Sequence, residues 1–214
     1  MGQRIIDLSL PLYDGVRGVK LEPATTIATT GYNTTTMHLY SHAGSHMDAP
    51  LHFLEGGGTI DQIPLSKCIG PALVVDLSHK EPNSLITVED LGAVADRIGV
   101  GSRLLLRTDW DRFAKQPEFR TEMPRISAEL ARWLVERQIV LLGVQTPSVA
   151  SLRPEHRDEL TEVHQILLRA EIVIVEGLAN LNQVRRETVT FIALPLKVTG
   201  CDGSPVRPVA IEEE

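Results

Sequence analysis

The sequence predicts an α/β fold built on a mixed β-sheet, and three features of its 214 residues indicate it. Short apolar runs at residues 72–77 and 103–107 are typical of strands buried on both faces. Longer segments from the middle of the chain onward show helical periodicity. The first part is strand-rich and the second alternates helix with strand, as in a mixed-sheet α/β domain. We expect residues 1–214 to form a single domain, although length alone would also permit two.

The individual elements follow in chain order from their patterns and end signals. Strands are expected at residues 5–10, 34–40, 72–77, 103–107, 139–144, 172–175, 188–194 and 206–211. Thr87, three residues before Asp90, opens an amphipathic helix that Gly99 ends. Ser127 caps a second helix that runs through Arg137. A third helix starts at Pro154, and residues 212–214 should form a solvated tail.

Composition excludes several classes of function. The formal net charge of −7 and the lack of any basic run argue against nucleic acid as a partner. No apolar run has the length of a membrane span, and the N-terminus lacks a signal-peptide core. The two cysteines, Cys68 and Cys201, are too few for a disulfide framework. We therefore expect a cytoplasmic protein in a reducing compartment.

Residues 41–53, SHAGSHMDAPLHF, carry the main chemical signal of the chain. The segment contains His42, His46, Asp48 and His52, although the whole chain has only seven histidines. Zinc and manganese prefer imidazole nitrogens and carboxylate oxygens that converge on one point. A single histidine is more often a titrating or capping residue than a metal ligand. The four-residue constellation instead favours a metal site.

Two further residues could complete such a site. His164 lies on the polar margin of the third predicted helix, and Glu176 directly follows the apolar run IVIV. A carboxylate at the carboxyl end of a buried strand is a common functional position in α/β sheets. Each residue also has a simple structural reading, as a helix-face histidine and as a strand-end charge in solvent. Spacing leaves open whether they meet the histidine-rich segment.

The histidine-rich segment resembles the H-x-G-[TS]-H-x-D-x-P-x-H signature of the cyclase-type metal-dependent hydrolases. This family includes bacterial kynurenine formamidase. The resemblance continues in GVQTPSV at residues 143–149, in VHQILLRAEIVIVEGLANL at 163–181 and in LPLKVTGCDGSPVRPVA at 194–210. It therefore extends over nearly the whole chain. It implies the family's swivelling β/β/α fold, with a barrel-like core flanked by helices.

The resemblance also implies a two-metal site, with one or two ions of Zn²⁺ or Mn²⁺ per subunit. The implied metal ligands are His42, His46, Asp48, His164 and Glu176. Asp48 and Glu176 would bridge the two ions, and His52 would stand free as the general acid and base. This division agrees with general chemistry, since two metals that share a hydroxide bring its pKa toward neutrality.

The implied function is hydrolysis of a small-molecule amide by attack of metal-bound hydroxide. As an arylformamidase, the protein would convert N-formylkynurenine to kynurenine and formate. An alternative is an isatin hydrolase-like or lactone-hydrolysing enzyme that opens a ring. A non-catalytic metal-binding protein is a third reading, although structural zinc sites usually close four Cys or His ligands. The family further implies a homodimer or larger homo-oligomer.

Three departures from the family concern the substrate and not the metal. Formamidases of this family carry a Trp after the first strand, where this chain has only Tyr13. Tyr13 and Trp110, in the TDWDRF turn, are the candidate substrate-binding residues that remain. Gln145 and Ala150 stand where the family often has acidic residues. The sequence therefore predicts the ligands more firmly than the substrate.

Overall fold

The computed structural model describes residues 2–213, and its main feature is a curled mixed sheet of nine strands. The strands of the chain are β1 (Gln3–Asp7), β2 (Val19–Thr25), β3 (Thr34–Leu39), β4 (His46–Asp48), β5 (Ile69–Asp76), β6 (Leu85–Ile86), β7 (Arg103–Arg107), β8 (Arg125–Ile126), β9 (Leu141–Val144), β10 (Val173–Glu176), β11 (Thr188–Ile192), β12 (Gly203–Pro205) and β13 (Val209–Glu213). The sheet order is β1-β13-β11-β5-β7-β9-β10-β4-β12. Strands β5, β7, β9 and β10 are parallel to their neighbours within this group, and the outer pairs are antiparallel. The predicted mixed-sheet α/β fold is confirmed.

Five α-helices accompany the sheet in the described part of the chain. They are α1 (Ile27–Thr30), α2 (Leu65–Cys68), α3 (Glu118–Thr121), α4 (Ala128–Glu136) and α5 (Arg157–Arg169). The side chain of Ser127 accepts a hydrogen bond from the backbone N–H of Leu130 and so caps α4, as its sequence position predicts. Helix α5 follows a short 3₁₀ turn at Pro154–His156. None of the helices in residues 2–213 is long and apolar enough to cross a membrane.

The core lies on both faces of the parallel strands. Leu104 and Leu106 of β7 pack on one face with residues of α4 and α5, whereas Leu105 packs on the opposite face with Phe191. Alternate side chains of a strand point to opposite faces, so a run of leucines serves two packing layers at once. This explains why residues 103–107 show no amphipathic alternation.

The predicted amphipathic helix from Thr87 to Gly99 is wrong. Glu89–Arg97 instead forms 3₁₀ turns, and Gly92 has φ 51° and ψ −138° in the middle of them. Such backbone angles interrupt any right-handed helix and are open mainly to glycine. The capping interaction itself forms, because Asp90 accepts a hydrogen bond from the backbone N–H of Thr87 at 2.7 Å. The contact between Thr87 and Asp90 at the predicted helix start is therefore present, but Gly92 ends the helix within one turn.

The predicted solvated tail is also wrong for the residues that the structure describes. Glu212 and Glu213 belong to β13, which pairs with β1, whereas Glu214 lies outside the described residues. The Glu212 side chain is buried and accepts hydrogen bonds from Arg4 and from the backbone N–H groups of Arg185 and Arg186. A carboxylate with three partners can be buried in a strand that composition alone marks as polar.

Strands β2 and β3 form a separate hairpin whose side chains are mostly exposed. His38 lies on this hairpin and is paired with Glu22 at 3.0 Å, with its side chain 59% exposed. His38 is therefore an exposed residue of the hairpin and is not part of the core. The hairpin leads through Tyr40 directly into the histidine-rich segment.

Candidate metal centre and active site

Strand β4 carries two of the predicted ligands and lies between β10 and β12. Its antiparallel register with β10 places Glu176 opposite His46. His46 and Asp48 are two residues apart on the strand, so both side chains point to the same face. The loops flanking these strands approach closely, since a Cβ on Gly177 would lie 2.7 Å from the backbone oxygen of Gly44. Glycine at position 177 therefore permits the approach.

The first group of candidate ligand atoms comes from His42, His46 and Asp48, which belong to two closely spaced sets, one with His52 and one with Glu176. Nδ1 of His42 lies 2.9 Å from Oδ1 of Asp48, and Nε2 of His46 lies 3.7 Å from the same oxygen. Nδ1 of His46 donates a hydrogen bond to the carbonyl oxygen of Gly44 at 2.9 Å. That bond fixes the ring so that Nε2 faces the carboxylates, as is usual for metal-binding histidines.

The second group brings His164 of α5 to Asp48 and Glu176. Nε2 of His164 lies 3.4 Å from Oε1 of Glu176 and 3.8 Å from Oδ2 of Asp48. The other ring nitrogen donates to the carbonyl oxygen of Leu160 at 2.7 Å. Oε2 of Glu176 lies 3.2 Å from Nε2 of His46, so this carboxylate contacts a histidine of each group. The helix histidine and the strand-end glutamate therefore reach the histidine-rich segment.

These five residues, which we call the ligand cluster (His42, His46, Asp48, His164 and Glu176), fit a divalent metal site. Asp48 is fully buried and its Oδ2 has no hydrogen-bond partner. An unpartnered buried carboxylate oxygen is costly unless a cation compensates it. Two ligands of one ion, with bonds of about 2.0–2.2 Å, lie about 3–3.6 Å apart, close to the separations found here. Asp48 and Glu176 each direct their two oxygens at different histidines, as bridging carboxylates do.

The charged groups of the ligand cluster shift one another's pKa values. Burial would by itself raise the pKa of Glu176, but the hydrogen bonds from His164 and His46 hold that pKa far below its usual range. Burial similarly opposes protonation of His42, yet its contacts with Asp48 and Asp202 raise its pKa to about 9. These contacts therefore favour Glu176 in its anionic form, the form that binds metals, whereas His42 would have to release its proton on binding an ion.

His52, the predicted acid and base, lies at the end of the 3₁₀ turn Pro50–His52. Its ring stacks on that of His42, with centroids 3.9 Å apart, and 24% of its side chain is exposed. Burial, together with the nearby charges of His42 and His164, lowers the pKa of His52 below its usual value. A nitrogen of His52 also lies within 4.8 Å of ligand atoms of His42 and Asp48. Position alone thus permits either an acid–base role or ligation.

Asp202 is the site residue that the sequence did not reveal. Its Oδ2 lies 2.9 Å from Nε2 of His42 and 3.5 Å from Nδ1 of His52. Burial would raise its pKa, but the contact with His42 lowers it to about 2. It lies 160 residues after His42 in the chain and directly precedes β12, which pairs with β4. The only sequence signal was its place inside the GCDGSPVR segment that carries the family resemblance.

Two cavities adjoin the ligand cluster. The outer one has a volume of about 390 Å³ and is lined by Tyr13, His42 and His46, among others. The inner one has a volume of about 180 Å³ and reaches His164 and Glu176. Pockets for small organic ligands typically measure about 300–1,000 Å³. The outer cavity is therefore large enough for an aromatic metabolite, and Tyr13 is positioned to contact it.

Trp110 does not line either cavity. It is 1% exposed and its ring nitrogen donates to the carbonyl oxygen of Phe119, whose own side chain does line the outer cavity. Trp110 can therefore affect a substrate only by supporting Phe119. Gln145 also has a structural role, since its side-chain oxygen accepts hydrogen bonds from the backbone N–H groups of Thr108 and Asp109, both at 2.8 Å.

Comparisons with known proteins agree with this geometry. The family described as "Putative cyclase" matches residues 6–151. The kynurenine formamidase of Bordetella petrii is 32% identical over 186 residues, which cover 84% of this chain and 81% of the relative. A solved structure described as a potential metal-dependent hydrolase with cyclase activity has a TM-score of 0.81 and 27% identity, covering all of both chains. Isatin hydrolase A from Labrenzia aggregata has a TM-score of 0.87 and 25% identity, covering 99% of this chain and 94% of that one.

Proposed function

This chain belongs to the cyclase family, and from that premise we propose that it is a metal-dependent arylformamidase that converts N-formylkynurenine to kynurenine and formate. The observation that carries the proposal is the convergence of the ligand cluster on the buried carboxylate of Asp48, whose Oδ2 has no hydrogen-bond partner, with His52 alongside. Relatives named kynurenine formamidase support the choice of an amide substrate.

We assign the metal ligands as follows. His42, His46 and Asp48 would hold one ion and His164 a second, with Asp48 and Glu176 shared between them. The donor set of imidazole and carboxylate suits Zn²⁺ best and also accommodates Mn²⁺, with one or two ions per subunit. Such ions, when bound, supply Lewis acidity and lower the pKa of water.

His52 is the residue we assign to proton transfer. Its Nδ1 faces Asp202, so Nε2 is the nitrogen left to exchange protons with the reacting groups. Because its pKa is lowered, the ring is neutral near pH 7 and can accept a proton from water as the oxygen adds to the formyl carbon. The same proton is then delivered to the departing aniline nitrogen as the C–N bond breaks. Water is consumed, and an amine and formate are produced.

A second candidate is an isatin hydrolase-like enzyme that opens a lactam, or a related lactone hydrolase. The favouring observation is the TM-score of 0.87 to two isatin hydrolase structures. The absence of a tryptophan after β1 also weakens the formamidase-type aryl contact, which Tyr13 and Phe119 would have to provide here. Both candidates use the same ligands and the same His52.

We further propose that the protein works as a homodimer or larger homo-oligomer. Ile27 and Met37 of the β2–β3 hairpin region are both 64% exposed, and Tyr32 is 58% exposed. Exposed apolar side chains that cluster on one projecting element are typical of protein–protein contacts. Light scattering on the purified chain, with Met37→Asp as the variant, would test this assignment.

The experiment that tests the function combines metal analysis with an absorbance assay on N-formylkynurenine, isatin and formanilide. We expect bound divalent metal, turnover of N-formylkynurenine, and loss of turnover after chelation that Zn²⁺ or Mn²⁺ restores. Turnover of isatin alone would establish the second candidate. Bound metal without turnover of any of the three would instead support a non-catalytic metal-binding protein.

A further inference from the structure

Two arginines, Arg17 and Arg120, line the cavities beside the ligand cluster without a carboxylate partner. We propose that this arginine pair is a binding site for a carboxylate group of the substrate, and hence that the natural substrate is an aryl amide that bears a carboxylate. The proposal rests on the proposed hydrolase function and specifies its substrate class. It concerns residues outside the histidine motif and outside the ligand cluster.

The position of the arginine pair connects the two cavities. Both arginines line the outer cavity together with Tyr13, and both line the inner cavity together with His164 and Glu176. Arg17 lies in the loop before β2, and its guanidinium lies 5.2 Å from the centroid of the Tyr40 ring. Arg120 belongs to α3. A ligand in the outer cavity therefore meets both cations next to the ligand cluster.

Neither arginine forms a salt bridge with a carboxylate of residues 2–213. Some partly buried arginines form ion pairs, for example Arg107 with Asp109 at 2.9 Å and Arg125 with Glu159 at 2.7 Å. Arg120 is also partly buried, whereas Arg17 is exposed. Burial and the nearby charge of Arg17 lower the pKa of Arg120, so this guanidinium is partly desolvated beside a like charge. The nearby charge of Glu176 acts on Arg120 in the opposite direction. A partly buried guanidinium without an ion pair is nevertheless stabilised when a ligand supplies a carboxylate.

The charge of the outer cavity contrasts with that of the whole protein. The chain has a net charge of −7, yet Arg17, Lys115 and Arg120 line the cavity, and no Asp or Glu of residues 2–213 does. A cleft of one sign concentrates ligands of the opposite sign. Guanidinium groups bind carboxylates through two parallel N–H···O bonds, which fixes orientation as well as charge.

The other residues that line the outer cavity indicate what kind of molecule carries the carboxylate. Leu10, Tyr13 and Phe119 supply apolar and aromatic surface next to the cations. An aromatic ring can pack there while its amide reaches the ligand cluster and its carboxylate reaches the arginine pair. N-formylkynurenine has this combination of groups, whereas isatin has no carboxylate. The arginine pair therefore favours the first candidate function over the second.

The test compares N-formylkynurenine with its methyl ester, which lacks the negative charge. The variants are Arg17→Gln, Arg120→Gln and Arg120→Lys, with Arg137→Gln, exposed on the far end of α4, as the matched control. For wild-type protein and the control, we expect the acid to have a kcat/KM at least tenfold above that of the ester. Charge-assisted hydrogen bonds are worth about a factor of 10–100, so Arg120→Gln should raise KM for the acid by that amount and leave the ester nearly unchanged. Arg120→Lys should recover part of the loss.

Two further measurements separate this site from folding and from the proposed function. Because Arg120 is unpaired, Arg120→Gln should melt no lower than wild type, whereas a structural arginine would lower Tm on removal. Calorimetric titration with kynurenine itself measures carboxylate binding without turnover, and Arg120→Gln should weaken it about tenfold or more. Equal kcat/KM for acid and ester, or unchanged kynurenine binding in the variants, would overturn the arginine site. Failure to hydrolyse any amide, with intact arginine-dependent kynurenine binding, would overturn only the proposed reaction.

Discussion

The ligand cluster and the arginine pair lie side by side but are built differently. The ligands come largely from regular structure, with His46 and Asp48 on β4, Glu176 on β10 and His164 on α5. Arg17, by contrast, lies in a loop and Arg120 in a helix of four residues. Regular elements hold side chains at set distances, whereas loops can change without disturbing the sheet. We infer that the framework sets the reaction and the loops set the substrate.

The similar proteins are consistent with this division. Both a kynurenine formamidase and an isatin hydrolase resemble this chain over most of their length, although their names describe different substrates. Substitutions in the ligand cluster and its neighbours should therefore affect all substrates alike. Substitutions in the cavity wall should affect them unequally.

The largest effect is expected for His52→Ala. Removal of a general acid and base typically costs about 10²–10⁴ in kcat, and we expect that loss for N-formylkynurenine and its methyl ester alike. Metal content, measured by inductively coupled plasma mass spectrometry, should remain near the wild-type value. The exposed His79→Ala is the matched control. Joint loss of metal and activity would instead make His52 a ligand, as its closeness to His42 and Asp48 allows.

A smaller effect is expected for Asp202→Asn. This carboxylate contacts both His42 and His52, so its loss should disturb the orientation of a ligand and of the proton-transfer residue together. Loss of a side chain that orients a metal ligand typically lowers metal affinity or activity about 10–100-fold. The loss should appear in kcat for both substrates, with KM nearly constant, and Asp202→Glu should restore part of it. If Asp202→Asn changed KM for the acid alone, Asp202 would belong to substrate recognition; Asp96→Asn is the exposed control.

The smallest effect on activity is expected for Glu212→Gln, which lies in the framework far from the chemistry. Its hydrogen bonds from Arg4, Arg185 and Arg186 should make the substitution cost about 1–3 kcal/mol of unfolding free energy at pH 7. Those contacts lower the pKa of Glu212 although burial opposes them. The stabilisation is therefore present above the ordinary glutamate pKa and is lost as the pH falls through the lowered one.

Urea unfolding of Glu212→Gln and of wild type at pH 7 and at pH 3 measures this effect. The exposed neighbour Glu213→Gln is the control on the same strand. The ratio of kcat/KM for acid and ester should stay constant. A changed ratio would break the proposed separation between framework and cavity wall.

The sequence predicts the strands of the sheet better than it predicts the residues that line the cavity. Residues 103–107 and 139–144 are predicted as strands because continuous apolar runs of that length fit a buried sheet, and the structure has strands at Arg103–Arg107 and Leu141–Val144. Strand β4 was not recognised, since its three residues are themselves ligands and follow no apolar pattern. The interruption at Gly92 depends on one residue's backbone angles, which periodicity does not report.

The candidate site shows the same contrast. His42, His46, Asp48 and His52 were found because they lie within one short segment with metal-ligand spacing. Asp202 was missed because its role depends on β12 pairing with β4, a contact between distant parts of the chain. The arginine pair carries no spacing signal at all. Arg17 and Arg120 gain their meaning only from the cavity that the fold creates between them.

We propose that three side chains from residues 42–48, together with His164 and Glu176, bind divalent metal around the buried carboxylate of Asp48. The most direct measurement is the metal content of Asp48→Asn beside wild type and Asp96→Asn, each loaded with Zn²⁺ or Mn²⁺ and then desalted. We expect one or two ions per chain in wild type and in the control, and almost none in Asp48→Asn, which should still fold as judged by circular dichroism. Full metal retention by folded Asp48→Asn would show that metal does not bind at the Asp48 carboxylate.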